Sequence, residues 1–379
     1  MSPRGAANAG VSPSARSVRV ALPAELLAAW RSLANTSPDA NPFFAPTVLQ
    51  SALHTLAPAS VTLVAPRTDA GRLIALAPVV PIRFGRLIPA RSVWTHLYGP
   101  LGTPLIDPAD PDAAIVHLIA AMDGDRPGRR ILIFPDLPLD GVAAQALRRH
   151  AESSGRPVRV FGTHHRAVLR PALLAGGVRA ALSAKTRKEL GRQLRRLGDL
   201  GPLAFSATTG GPDLQPMLEA FLALEQSGWK GARGTALAMK SEALAFVRAV
   251  ASAAEPGEMR IDSLAVGDRP AAMLASFRSG GTLVTWKIAH DESLGRFSPG
   301  VQVMLEASGA FAADPSLRLV DSLASADHPM IDRLWPDRQA IGTLTIGPRG
   351  GGAAFALGVL LAETELRARS ELRALIRRS

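Results

Sequence analysis

The sequence predicts an α+β chain, an α/β sandwich in two successive halves, each a mainly antiparallel sheet flanked by helices. Three observations lead there. The chain has 379 residues, too many for one ordinary core and enough for two domains of roughly 150 residues each. Hydrophobic residues make up 47% and charged residues 20%, a balance that supports folded cores. Both halves also read in one order: a meander of strands, a helix, a strand, a helix and a strand. Only the element order repeats; the halves share no convincing residue identity.

Residues 1–16 mix Ser, Pro, Ala and Gly. They are expected to be disordered, and they lack the apolar run of a secretory signal. Residues 17–22 alternate like a strand, and 24–33 and 47–56 read as helices. Residues 61–66 and 73–84, joined by Thr68-Asp69-Ala70-Gly71, read as a hairpin. A further strand over 91–97 enters a Gly/Pro-rich loop. Helix 113–122, buried strand 130–134, helix 142–152 and strands 157–161 and 167–169 complete a first domain, expected over 17–170.

The second domain is expected over 171–347. Ser183 is a plausible N-cap for a basic helix up to Leu197, with Leu182, Leu190, Leu194 and Leu197 along one stripe. Asp213 is expected to cap a helix carrying Leu214, Met217, Leu218, Phe221 and Leu222 at helical spacing, and Gly228 to close it with φ > 0. Strands follow over 259–266, 271–277 and 282–289. The turns between them, Gly267-Asp268 and Ser279-Gly280-Gly281, are short enough to force neighbouring antiparallel pairing. A loop over 290–299, a helix over 300–311, a strand over 317–322, a short helix over 330–334 and a strand over 341–346 complete the half. Residues 348–379 read as a Gly-rich hinge and a basic helical tail.

Composition excludes several chemistries. The chain has no cysteine, so disulfides, thiolate metal sites and cysteine nucleophiles are ruled out. It has no G-x-S-x-G elbow, Walker A loop, strand-linked G-x-G-x-x-G or H-E-x-x-H. His164 and His165 are adjacent, face opposite ways on a strand and cannot share a metal; no metal is expected. No stretch approaches the ~18 apolar residues needed to cross a bilayer, so the expectation is a cytoplasmic protein without a transmembrane segment.

The net charge of +11 favours anionic partners. Seven cations lie between Arg179 and Arg196 (Arg179, Lys185, Arg187, Lys188, Arg192, Arg195, Arg196), against the single anion Glu189. The helix over 185–196 reads as a solvated face, as a contact for an anionic substrate or nucleotide, or as a nucleic-acid surface. Nucleic acid is disfavoured, because no aromatic residues interleave with the cations as stacking platforms. The tail, with Arg367, Arg369, Arg373, Arg377 and Arg378 against Glu363, Glu365 and Glu371, suits docking on a partner or an anionic membrane.

The most informative run starts at Leu224-Glu225, Gly228-Trp229-Lys230-Gly231 and Gly234-Thr235-Ala236. It continues with Pro270-Ala271-Ala272, Phe277-Arg278 and Thr285-Trp286-Lys287-Ile288-Ala289-His290-Asp291. It closes with Arg296-Phe297-Ser298-Pro299-Gly300 before a helix, and Asp321 at the end of a strand. In order and spacing, over roughly residues 180–328, this run resembles the GNAT-superfamily acetyltransferases of the CelD type. That type belongs to cellulose and exopolysaccharide biosynthesis and is related to the Fem transferases.

The resemblance implies two tandem GNAT-like domains with the working site in the second. It also implies acetyl-CoA, or another acyl-CoA, as co-substrate, held by Lys287, Ile288, Arg296, Ser298, Gly300 and Val301. A helix start offers unpaired N–H groups and a partial positive charge, both suited to a diphosphate. The loop departs from the family form Q/R-x-x-G-x-G/A. Here it runs Arg296-x-x-x-Gly300, and Pro299 removes one N–H donor.

His290 titrates near neutrality and can take a proton from an attacking amine or hydroxyl. Asp291 either joins it in catalysis or anchors the loop. Trp229 and Lys230 either clamp the acceptor, or Trp229 plugs the helix end. Trp286 and Lys287 are expected on opposite faces of one strand, Trp286 toward core or acceptor and Lys287 toward an anion or solvent. Asp321 completes the substrate side. The implied acceptor is a small molecule or glycan precursor, from a polysaccharide or related envelope pathway. Two other readings are an aminoacyl-tRNA-dependent, Fem-like transferase and a non-catalytic scaffold of a polysaccharide-synthesis complex.

Overall fold

The computed structural model describes residues 15–17, 23–173 and 177–376. Most of the tail expected over 1–16 and of the strand expected over 17–22 lies outside the described residues, as does the end of the basic tail. The chain opens with β1 (Ala15–Ser17), α1 (Ala24–Thr36), α2 (Pro46–Thr55), β2 (Thr62–Val64), β3 (Ala75–Phe84), β4 (Ile88–Val93) and β5 (Leu105–Ile106). Next come α3 (Pro111–Asp123), β6 (Ile131–Pro138), α4 (Val142–Ser153), β7 (Val158–Leu169), α5 (Val178–Ala181), α6 (Ala184–Gly198) and β8 (Leu203–Thr208). Then follow α7 (Leu214–Ser227), α8 (Trp229–Ala232), α9 (Ser241–Ala253), β9 (Met259–Val266), β10 (Arg269–Ser279) and β11 (Thr282–His290). The chain ends with α10 (Pro299–Ala313), β12 (Leu319–Asp321), α11 (Ile331–Leu334), β13 (Asp337–Ile346) and α12 (Ala353–Ile376).

Two compact units result. One comprises Met1–Asp39, Pro58–Thr163 and Ile341–Ser379, and the other Ala40–Ala57 and His164–Ala340. Each is a mainly antiparallel sheet flanked by helices, the α+β architecture that the sequence predicts.

In the first unit β1, β2, β3 and β4 pair antiparallel in that order. The chain then crosses over through α3, so β6 returns parallel to β4, as a helical crossover requires. α12 lays Phe355 against Phe84, with ring centroids 6.1 Å apart. Its Gly358 lies so close that a Cβ there would come within 2.5 Å of the Phe84 ring. A buried ion pair holds the edge of this unit. Arg156 donates to Asp123 (2.8 Å), to Gly347 O (2.8 Å) and to Arg130 O (2.6 Å).

In the second unit β8, β9, β10 and β11 form the antiparallel meander. Gly267 (φ +58°) and Gly280 (φ +52°) open its two tight turns, a conformation that hairpin loops of two residues demand. α10 then carries the chain over, and β12 lies parallel to β11. α10 packs Val303, Met304 and Phe311 on Leu264, Leu274, Leu283 and Val320, with Leu190 and Leu197 of α6 in the same cluster. α7 and α9 cover the opposite face, where Phe246 meets Trp286 at 6.3 Å. Phe43 belongs to this unit too, edge-on to Phe277 at 6.1 Å.

Ser183 caps α6 as expected, accepting from Thr186 N at 3.1 Å. Two other terminal expectations fail. Asp213 occupies the N-cap position of α7 but makes no capping hydrogen bond. Gly228 has φ −95° and ψ −168° rather than φ > 0, because α8 begins at the next residue and Gly228 serves as its N-cap.

Candidate active site

β10 pairs with β11 along its whole length, but β12 does not. Only Thr282, Leu283 and Val284 find partners in β12, opposite Leu319, Val320 and Asp321. Beyond them β12 ends, and its chain bends away through Leu323, a non-glycine residue at φ +52°. Asp321 holds that bend by accepting from Leu323 N at 2.7 Å. Thr285 closes the apex, with its hydroxyl 3.3 Å from Ser322 O. From Thr285 to His290, no strand among the described residues pairs with that side of β11.

The register shows which peptide groups face the gap. Asp291 N donates to Ala271 O at 2.9 Å, and Ala272, Met273, Leu274 and Ala275 lie opposite His290, Ala289, Ile288 and Lys287. Antiparallel hydrogen bonding alternates. Residues 287 and 289 therefore turn their peptide groups to β10, and 288 and 290 turn theirs to the open side. Lys230 Nζ confirms the direction by donating to Ile288 O at 2.9 Å.

The gap is a wedge-shaped cavity of about 320 Å³, lined among others by Thr285, Trp286, Lys287, Met304, Ser322 and His328. This volume is at the small end of the range for ligand sites. Trp286 is the extra residue of a bulge, since Ala275 pairs with Lys287 while Ser276 pairs with Thr285. A bulge breaks the two-residue alternation of side chains. The expectation of opposite faces therefore fails: Lys287 Nζ lies 5.6 Å from the centroid of the Trp286 ring.

Glu225 sets the charge of the wedge. Its side chain is fully buried, with Lys230 Nζ at 2.9 Å and Lys287 Nζ at 4.0 Å from Oε1. Its other oxygen accepts from Leu237 N at 2.8 Å. Burial pushes the Lys287 ammonium below the ordinary lysine range; Glu225 opposes the shift and Lys230 adds to it.

At the far end of the open edge, α10 begins with Ser298 in the left-handed region (φ 53°, ψ 48°) and Pro299 in its first turn. Val301 N and Gln302 N both donate to Ser298 O, at 2.9 and 3.1 Å. Pro299 has no N–H, so Gly300 N–H is the donor of this turn with no hydrogen bond among the described residues. A Cβ on Gly300 would lie 3.6 Å from both His290 Nδ1 and Ile288 Cδ1. Ile288, His290 and Gly300 thus converge. Arg296 stands apart, exposed, with its guanidinium 4.7 Å from the Phe297 ring centroid.

The remaining sequence-derived candidates are placed as follows. Asp291 accepts from Ser293 N (3.0 Å) and Ser293 Oγ (2.7 Å) and pairs with Arg269, which is the loop-anchoring alternative. His290 lines a small recess beside Trp229 and Glu292, not the wedge. Trp229 is 48% exposed beneath Arg233, so it is no core plug. Asp321 is buried and engaged by Arg166 at 3.2 Å, so its carboxylate shapes the bend rather than facing the wedge.

Sequence reading gave no role to Glu225, Thr285, Met304, Ser322 or His328. Glu225 did leave a signal: it continues the apolar stripe of Leu218, Phe221 and Leu222, where a charge is out of place. His328 left none, because only the folded loop brings it to the wedge. There its Nδ1 lies 3.4 Å from Met330 N and 3.5 Å from Ile331 N.

A parallel strand pair splayed open beside a helix start, with titratable groups lining the gap, forms the candidate site. Residues 184–328 match the family described as "Acetyltransferase (GNAT) domain". Three solved structures share the fold. One is the C-terminal domain of an Agrobacterium fabrum protein described as a lysylphosphatidylglycerol synthetase: TM-score 0.55, 12% identity, covering 90% of this chain and 96% of that one. FemX gives a TM-score of 0.56 at 10% identity, covering 84% of this chain and 95% of that one. L-PGS from Bacillus licheniformis gives 0.50 at 11%, covering 89% and 96%. No curated protein matches the sequence. No helix among the described residues is long and apolar enough to cross a membrane.

Proposed function

We propose that the second unit transfers an acyl group from acyl-CoA, acetyl-CoA in the simplest case, to an amine or hydroxyl of a small acceptor such as a polysaccharide or envelope precursor. The open edge of β11 carries this reading. The peptide groups of Ile288 and His290 face a gap that ends at the Gly300 N–H, so amide hydrogen bonds and an anion contact lie in one line. His290, beside that helix start, is assigned to the anionic end of the donor.

Chemistry belongs at the other end, in the wedge. The acceptor attacks the thioester carbonyl and the thiolate leaves. With His328 Nδ1 turned to backbone N–H groups, Nε2 carries the ring proton. That N–H hydrogen-bonds the thiolate as it leaves, and the proton released by the acceptor goes to the departing sulfur, so the acylated acceptor and the free thiol are the products. Holding both reactants in one small cavity supplies much of the rate.

Acetyl-CoA binding to wild type and Gly300→Trp, followed by thermal shift and calorimetry, tests this reading. At a ligand concentration of 100 Kd, wild type gains about 2.7 kcal/mol of stability; Gly300→Trp, whose indole would fill the space toward His290 and Ile288, gains none. Equal stabilisation of both chains overturns the site.

A second donor, aminoacyl-tRNA, is favoured by one observation. α6, whose Lys185, Arg187, Lys188, Arg195 and Arg196 are exposed, packs on the turn Glu292–Phe297 that leads to the site. Binding of tRNA that weakens steeply with salt supports that donor; tRNA binding unchanged by reversal of Lys188 and Arg195 to Glu removes it.

A further inference from the structure

Two ammonium groups converge on the wedge, and one carboxylate answers them. Lys230 and Lys287 are each about four-fifths buried, and Glu225 lies within 4.0 Å of both. Among the described residues no Asp or Glu lines the wedge itself. Glu225 cannot swing away to serve elsewhere, because its second oxygen is held by Leu237 N. The other groups facing the space are Thr285, Ser322 and Ser325, which are neutral, and His328 and Trp286. The local sum is one positive charge in a mostly buried place, where charge is costly unless answered.

We infer that the wedge selects an acyl acceptor carrying a single carboxylate, which docks at the Lys287 and Lys230 ammonium groups beside the Trp286 ring. The inference rests on the acyl-transfer reading above and names its substrate class. One negative charge balances the cluster; a phosphate dianion would overshoot it, which favours a carboxylate. Burial lowers the Lys287 pKa, and an anion docked beside the ammonium would offset that cost. The flat face of Trp286 gives the acceptor body an apolar surface, and Ser322 offers a hydroxyl for its polar edge.

The test uses the full chain and matched probes differing only in charge: p-aminobenzoate against p-aminobenzamide, and β-alanine against β-alaninamide. Binding is read by calorimetry. The carboxylate of at least one pair is expected to bind about ten- to a hundredfold tighter than its amide, the range of a charged hydrogen bond. Lys287→Gln removes that preference and Lys287→Arg restores most of it. Glu225→Gln leaves two unanswered cations and should turn the preference toward p-aminophenyl phosphate. No carboxylate preference in either pair, or a preference that survives Lys287→Gln, overturns the inference. Acetyl-CoA binding is measured in parallel on the same samples. Its failure beside an intact carboxylate preference sinks the acyl-CoA reading and leaves this one standing.

Discussion

Removing either lysine beside Glu225 should be mild, and removing both should be severe. Lys230 Nζ lies 2.9 Å and Lys287 Nζ 4.0 Å from the same carboxylate oxygen. At an effective dielectric of about 20, these separations correspond to roughly 6 and 4 kcal/mol of attraction before desolvation. The two values are close enough that either ammonium alone can compensate Glu225, while the pair also repel one another. Lys230→Met or Lys287→Met alone should therefore cost about 1–2 kcal/mol. The double variant leaves a fully buried carboxylate with only Leu237 N to meet it, a situation worth roughly 3–5 kcal/mol on its own. A double-mutant cycle by urea unfolding, followed by tryptophan fluorescence, should give a coupling energy of roughly 1 kcal/mol, with the double variant worse than the sum. Losses that add to within about 0.5 kcal/mol would mean that the two lysines do not share Glu225, and would refute the charge count behind the wedge.

Two further outcomes concern the first unit. Asp123→Ala strands Arg156, whose side chain is 1% exposed, with only carbonyl partners; it should lower stability by about 3–5 kcal/mol, and Asp123→Asn, which keeps an acceptor, by clearly less, both read by chemical unfolding. His96, stacked on Trp94 at 4.9 Å, is held by burial at a pKa of about 4. Its folded value lies below the unfolded one, so its contribution is complete above about pH 6.5 and lost as pH falls toward 4. At pH 5 the loss is roughly 2 kcal/mol, and the stability gap between wild type and His96→Gln should close by that amount between pH 7 and pH 5.

The fold was legible where local chemistry dictates it. The strands β9, β10 and β11 were readable because Gly267 and Gly280 make turns too short for any other pairing, and α10 because its apolar positions are dense. α9 and β8 were not read. β8 is short and exposes four consecutive residues, Ala204 to Ala207, so little burial sets its Leu203-Phe205-Ala207 side apart from the neighbouring loops. A linear reading also divides the chain by stretches of sequence. The units instead interleave along it, with Ala40–Ala57 belonging to the second and Ile341–Ser379 to the first. No local propensity encodes such long-range pairing.

The geometry of the candidate site was not legible along the chain, and one residue shows why. Read as an unbroken strand, residues 282–290 put Trp286 and Lys287 on opposite faces, so neither could inform the other. The bulge at Trp286 is fixed by register against β10, a property of two strands together. That register brings Lys287 over the indole and toward Glu225, a residue 62 positions earlier in the chain. Once these three are neighbours, the early end of β12 and the open peptides of Ile288 and His290 acquire a chemical meaning. A buried cation at one end and the start of α10 at the other give the open edge two chemically distinct ends, and the proposed placement of donor and acceptor rests on that polarity.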